Sequence, residues 1–302
     1  MDIKSLYLDE LIDEMKKLNQ PAFRAKQIYE WMHVKLASSY DDMTNLSKDL
    51  RGNLKESYPL TRLELVDKLV SEHDKTTKYL FGLHDKRVIE SVLMKYRHGN
   101  SVCISSQVGC MMGCTFCAST IGGKERDLTA SEMLDQIYKI QALSGERVSN
   151  VVVMGTGEPL DNYHNLIRFI RILTDEKGLN ISARNITVST CGIPDRIRDF
   201  ANEGLPVTLA LSLHAPNNEI RKKLMPVARI YKLTEVLDAF AYYYEKTGRR
   251  LTFEYSMAEG INDEEEHARE LCHLLKGYNC HVNLIPINPI KERNYVKSDN
   301  KK

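Results

Sequence analysis

Residues 101–120 read SVCISSQVGCMMGCTFCAST, a strand-like opening followed by three closely spaced cysteines. Five further strand-like runs follow: NVVVMG from Asn150, NITVST from Asn185, VTLALSL from Val207, LTFEYSM from Leu251 and HVNLIPI from His281. Helical runs lie between them. The first of these opens on Thr129-Ala130-Ser131-Glu132, a capping box in which each side chain takes a backbone amide of the first turn. Six strands separated by helices predict parallel pairing through right-handed crossovers. The expected fold class is α/β, an open or partial barrel. In such barrels the loops after the strands carry the chemistry, and the three cysteines sit in one of those loops.

Upstream the texture differs. Leu8, Leu11, Ile12, Met15 and Leu18 recur at helical spacing. A second helix is predicted to begin at Pro21, a favoured first-turn residue, and to carry Phe23, Ile28, Trp31 and Met32. Leu46, Leu50 and Leu54 mark a third. LELVDKLV, KYLFGL and VIESVLMKY, split by His-Asp pairs, predict a small antiparallel unit. A boundary falls at His98-Gly99-Asn100, giving an N-terminal accessory domain over 1–98 and an α/β core over 99–302.

The chain has 302 residues, 42% hydrophobic and 27% charged, with a formal net charge of +1. That balance excludes a strongly basic tail and an acidic solvating chain, while a local basic face can still bind RNA. Three clusters could neutralise phosphates: Lys86, Arg87, Lys95 and Arg97; Arg221, Lys222 and Lys223; and Lys246, Arg249 and Arg250. Each also reads as ordinary solvated surface. No apolar run reaches membrane-spanning length, and acids interrupt the N-terminal apolar residues, so a soluble, cytoplasmic protein is expected. Seven cysteines without a secretion signal point to thiols kept for metal or redox chemistry.

Cys110, Cys114 and Cys117 can converge on one metal centre if their loop curls, which Gly113 permits. Three thiolates suit a cubane iron–sulfur cluster with one iron left open. Structural zinc, which usually takes four ligands, is the alternative, with Cys103 or His98 as the fourth. Gly157-Glu158-Pro159 follows the second strand. There glycine lets the backbone approach a ligand, and the carboxylate can accept from an ammonium group; on spacing alone the same three residues also read as a plain turn.

C-x3-C-x2-C behind the first strand of an α/β chain resembles the radical S-adenosylmethionine (SAM) superfamily. CISSQVGCMMGCTFCAST, VVVMGTGEPLDNY, RNITVSTCGI, LALSLHAPN and HVNLIPINP, with FRAKQIYEWMH near the N-terminus, closely resemble the RlmN branch of the RlmN/Cfr RNA methyltransferases. The likeness runs over almost the whole chain. It implies a partial (β/α)6 radical-SAM barrel behind a small helical and β accessory domain that contacts RNA. It also implies a 4Fe–4S cluster on Cys110, Cys114 and Cys117, and SAM held by Gly157, Glu158, Ser189, Ser212, Leu213, His214 and Asn288. By residue type alone, Ser189 and Ser212 would satisfy backbone groups, and Asn288 before Pro289 would form a turn.

The same resemblance makes Glu90 the acceptor of a proton from the adenine ring. Cys103 becomes the cysteine that resolves a covalent intermediate by forming a disulfide. The implied reaction methylates C2 of an adenosine in 23S rRNA and of an anticodon-loop adenosine in tRNA. A flavodoxin or ferredoxin would donate the electron, and the enzyme would be a monomer. The family also leads one to expect a further helix and strand beyond residue 302, with an AACGQL-like motif whose cysteine carries the methyl group. Cys191, Cys272 and Cys280 sit in other contexts, so the 302 residues alone are expected to bind cofactor yet form no 2-methyladenosine. Two other classes fit the motifs in isolation: a radical SAM enzyme on a non-RNA substrate, and a non-catalytic zinc or iron–sulfur RNA-binding module.

Overall fold

The computed structural model describes residues 2–299. Three helices come first: α1 (Leu8–Lys17), α2 (Ala22–His33) and α3 (Lys48–Ser57). Four strands follow: β1 (Glu64–Val70), β2 (Thr77–Gly82), β3 (Val88–Tyr96) and β4 (Gly99–Ile104). Two short strands, β5 (Gln107–Gly109) and β6 (Lys124–Asp127), flank the cysteine loop and form a small sheet of their own. The chain continues through α4 (Ala130–Ser144), β7 (Val148–Val153), α5 (Tyr163–Thr174), β8 (Ile186–Thr190), α6 (Pro194–Asn202) and β9 (Thr208–Ser212). The last elements are α7 (Asn218–Leu224), α8 (Leu233–Thr247), β10 (Leu251–Met257), α9 (Glu265–Leu274) and β11 (Cys280–Pro286).

Packing divides the chain into two compact units. One contains the residues up to Val108 with Asp127–Gly155 and Asn162–Asn185; the other contains Gly109–Arg126, Thr156–Asp161 and the residues from Ile186 onward. These bounds differ from the 98/99 division read from the change in sequence texture. Tyr96 and Gly99 pair across the β3–β4 turn, so the strand after His98 is stitched to the one before it by backbone hydrogen bonds.

In the first unit, the helical spacing of the apolar residues has its expected result. Leu11, Met15, Ile28, Met32, Leu46, Leu50 and Leu54 are buried in one cluster, each fully buried side chain contributing about 1.5–3 kcal/mol. Two details differ from the sequence reading. Pro21 is the N-cap of α2 rather than a first-turn residue, with ψ at 148° and its carbonyl accepting from Arg24 N–H. Leu46 precedes α3, because Ser47 Oγ accepts Leu50 N–H at 3.3 Å and starts the helix there. β1 to β4 form an antiparallel meander, and β4 pairs with β7 in parallel. The capping box at the start of α4 is present: Thr129 N–H donates to Glu132 Oε2 at 2.9 Å and Glu132 N–H to Thr129 Oγ1 at 3.2 Å. One turn later the buried Gln136 takes Ser105 N–H and gives its amide to Ser105 O, fixing α4 against the end of β4.

His33 is fully buried in this unit, its Nδ1 2.8 Å from Tyr138 Oη. Burial pushes its pKa down from 6.5 to about 3. A folded-state pKa depressed in this way means that the unfolded chain binds the proton more readily. Its contribution to stability is therefore complete above pH 6.5 and lost as pH falls toward 3, at about 1.4 kcal/mol per pH unit. Urea unfolding of His33→Asn at pH 7 and pH 5 should show a smaller loss between the two than the parent; an identical loss would place the sensitivity elsewhere.

In the second unit β8, β9, β10 and β11 pair in parallel in that order. All six strand-like runs of the α/β region are strands. α6 and α8 pack together, with Phe200 stacked on Tyr243 at 5.8 Å. Among the described residues no helix is long and apolar enough to cross a membrane.

Candidate functional site

The cysteine loop belongs to the second unit. Gly109 enters it with φ at 73°, and a Cβ there would lie 1.9 Å from the Gly123 carbonyl oxygen. That carbonyl accepts Cys110 N–H at 3.1 Å, so only glycine brings the two ends of the loop together. Gly113, at φ 70°, then curls the chain between the first two cysteines. Cys117 N–H donates to Cys114 O, and Thr120 Oγ1 bonds both Cys114 O and Cys117 O. Thr115 anchors the loop to the end of α7 through Leu224 O. Gly109→Ala should cost about 1–3 kcal/mol in backbone strain alone, with the overlap added. The expected result is a lower melting temperature and poor iron uptake; unchanged melting would show that the loop can close another way.

Cys110, Cys114 and Cys117 are free thiols. Burial pushes Cys110 up to about 11 and Cys114 up to about 12, and in both cases neighbouring cysteines of the set add to the rise. The sulfurs are thus within electrostatic reach of one another, and ionising them together calls for a compensating cation. Among the described residues no three His, Cys, Asp or Glu side chains converge as ligands of a single ion. Three thiolates that each hold their own iron need no common point, and a donor set of soft sulfurs alone suits an iron–sulfur cluster. His98 and Cys103, the candidate fourth zinc ligands, lie in the first unit.

Around the loop stand the ends of the parallel strands. Gly157 has φ at 110°. Glu158 beside it is buried and engaged with protein: Oε2 accepts Cys191 N–H at 2.7 Å and Oε1 accepts Leu160 N–H at 3.0 Å. Burial raises its pKa and these hydrogen bonds oppose the rise. The carboxylate braces two loops. Ser189 is the penultimate residue of β8 and Ser212 ends β9, their hydroxyls 3.3 Å apart. Leu213 is fully buried, and both its N–H and that of His214 donate to Glu254 O.

His214 holds φ at 55°, a left-handed conformation unusual for a non-glycine residue. Its Nδ1 accepts Ser256 N–H at 2.9 Å, which leaves the proton on Nε2. Burial pushes its pKa to about 3, so the ring is neutral. It meets Phe116 of the cysteine loop edge-on at 5.1 Å. Asn288 follows β11 and is solvent-exposed.

Glu90 and Cys103 belong to the first unit. Glu90 is exposed on β3, opposite Leu80, with Lys78 Nζ 3.2 Å away. Cys103 is a half-buried free thiol on β4 between Val92 and Val152, pushed up to about 11 by burial.

Two residues of the second unit stand at the site without a sequence motif that marks them. Phe116 carries no signal beyond being an aromatic between ligands. The sequence places Arg221 with Lys222 and Lys223 in a cluster that reads as phosphate-facing or as solvated surface, and for Arg221 the structure corrects both readings. Arg221 is fully buried while Lys223 is exposed, because a helix turns about 100° per residue and α7 presents only one face inward.

The fold and this loop define a class, and the Radical SAM superfamily model matches residues 104–272. The ribosomal RNA large subunit methyltransferase N-terminal domain matches residues 1–59. A probable dual-specificity RNA methyltransferase RlmN of Lachnoclostridium phytofermentans is 61% identical over 298 residues, covering 99% of this chain and 84% of the relative. Its counterpart in Staphylococcus aureus is 53% identical, covering 98% and 82%. The crystal structure of a radical SAM methyltransferase from Sphaerobacter thermophilus superposes with a TM-score of 0.96 at 42% identity, covering all of this chain and 89% of that one. The chain belongs to the RlmN family of radical SAM RNA methyltransferases. Membership implies SAM and a 4Fe–4S cluster as cofactors and RNA as substrate.

Proposed function

We propose that this enzyme methylates C2 of adenosine in 23S rRNA and in the anticodon loop of tRNA, as a cytoplasmic monomer reduced by a flavodoxin or ferredoxin. The observation that carries the reading is the curled loop of Cys110, Cys114 and Cys117, packed through Phe116 against the neutral His214. Residues 1–98 would be the accessory domain that contacts RNA and 99–302 the radical SAM core.

Cys110, Cys114 and Cys117 would each hold one iron, leaving the fourth open. When bound, the cluster supplies the electron that cleaves SAM to give a 5′-deoxyadenosyl radical. The chain's own residues do the rest. Gly157, Glu158, Ser189, Ser212, Leu213, His214 and Asn288 would position SAM, with Glu158 also holding the Gly157 and Cys191 loops in place for it. His214 can donate from Nε2 and, being neutral, adds no charge beside the sulfonium. The apolar shell of Phe116 and Leu213 would keep water away from the radical. In the first unit, Glu90 would take a proton from the adenine ring and Cys103 would resolve the methyl-bearing sulfur.

Mass spectrometry of digested RNA tests this. Deleting the gene should remove 2-methyladenosine from both 23S rRNA and tRNA, and the native gene should restore it while Cys103→Ala should not. Persistence of the modification in the deletion strain would defeat the reading.

A further inference from the structure

Arg221 is a buried cation without an anion. Its side chain is fully inaccessible, yet among the described residues it makes no ion pair. Nε donates to Leu213 O at 3.3 Å, and Nη2 to Cys191 O at 2.6 Å and Ser212 O at 3.3 Å. Nη1 is buried and donates to nothing. A lone guanidinium in such surroundings carries an effective penalty of several kcal/mol, and carbonyl dipoles offset only part of it.

Glu158 does not serve as the partner. It takes the N–H of Cys191 while Arg221 takes the carbonyl of the same residue, so the two charges bracket one peptide segment without meeting. Burial lowers the Arg221 pKa, and the neighbouring thiols of Cys191 and Cys114 oppose that fall. Cys191 is buried and lies in one apolar cluster with Cys114 and Phe116 of the cysteine loop.

We propose that Arg221 is the fixed counter-cation of the iron–sulfur cluster on Cys110, Cys114 and Cys117. A three-thiolate cubane is anionic, and its charge grows by one unit on reduction. A cation locked in a low-dielectric wall therefore stabilises the reduced form more than the oxidised form and raises the reduction potential. The three carbonyl hydrogen bonds hold the planar fork in place before the cluster arrives. Arg221 is thus a positioning residue that eases electron entry without touching substrate.

The proposal rests on the cluster reading, and its test separates the two. Arg221→Gln and Arg221→Lys are prepared in the anaerobically reconstituted protein, and the cluster is titrated with EPR detection. Arg221→Gln should lower the reduced-to-oxidised ratio at a given potential about tenfold, which is about 59 mV for a one-electron couple. Arg221→Lys keeps the charge and should keep most of the parent potential. An iron-loaded Arg221→Gln with the parent potential, or equal falls in both variants, overturns the proposal. So does an unchanged potential with SAM affinity reduced tenfold, which would make the SAM carboxylate the partner.

Should the glutamine variant fail to fold or load, the native residue is read directly. A second guanidinium reaches the cysteine loop, Arg293 Nη2 donating to Thr120 Oγ1 at 3.3 Å, so the label is read in an Arg293→Lys background. Protein carrying 15N-guanidino arginine there should show a 15N hyperfine coupling to the reduced cluster, and its absence overturns the assignment. A parent protein that takes up no iron defeats the cluster reading and this proposal with it.

Discussion

Cys114→Ala is expected to drop the iron content of reconstituted protein from about four per chain to below about one. The middle cysteine is tied through its carbonyl, which accepts from Cys117 N–H and from Thr120 Oγ1. Cys191, the buried thiol in the same apolar cluster, has its backbone pinned by Glu158 on one side and Arg221 on the other. Alanine at 114 should leave the apoprotein folded, because it removes a high-pKa thiol rather than a charge. The assay is total iron and acid-labile sulfide beside a circular dichroism melt. Full iron occupancy in a folded variant would show that another residue ligates, and the three-cysteine assignment would fall.

Glu158→Ala should be the most damaging single change outside the cysteines. It strands the buried N–H groups of Cys191 and Leu160, at about 1–3 kcal/mol each. A loss of about 2–6 kcal/mol is a large share of a marginal total of about 5–15 kcal/mol. The two loops it joins are those that carry Gly157 and follow Ser189, so SAM affinity should fall by more than tenfold along with stability. Glu158→Gln keeps one acceptor oxygen but turns an amide toward the other N–H, and should fall between the two. Urea unfolding and equilibrium binding of SAM check both effects. Parent-like stability in Glu158→Ala would mean that the carboxylate is spent on the ligand rather than on the loops.

These effects show where sequence reasoning reached and where it stopped. The six strands, the helices between them, the α4 capping box and the spacing of the cysteines were legible because each depends on neighbours along the chain. Strand alternation has a period of two, and the Thr129–Glu132 box closes within one turn. The need for glycine at 113 followed from the curl itself. Glu158 was recognised as a site residue, yet its partner lies at Cys191, 33 residues away in sequence. No periodicity encodes that meeting.

Arg221 is the clearest contrast. Beside Lys222 and Lys223 it is indistinguishable in sequence from a solvated basic cluster, since a charged residue is read as exposed unless something pairs it. The rotation of α7 and its packing under the ends of β8 and β9 decided otherwise, burying the guanidinium against three carbonyls. The same holds for Phe116 and His214, 98 residues apart and in ring contact. Local periodicity and motif spacing determined the class of protein, the family resemblance and the candidate metal ligands, because those are properties of short stretches of chain. Which charges are buried, which acceptors are already spent and which ring stands beside the cysteine loop were decided only by the tertiary structure, because desolvation and hydrogen bonding depend on what long-range packing brings within a few ångströms.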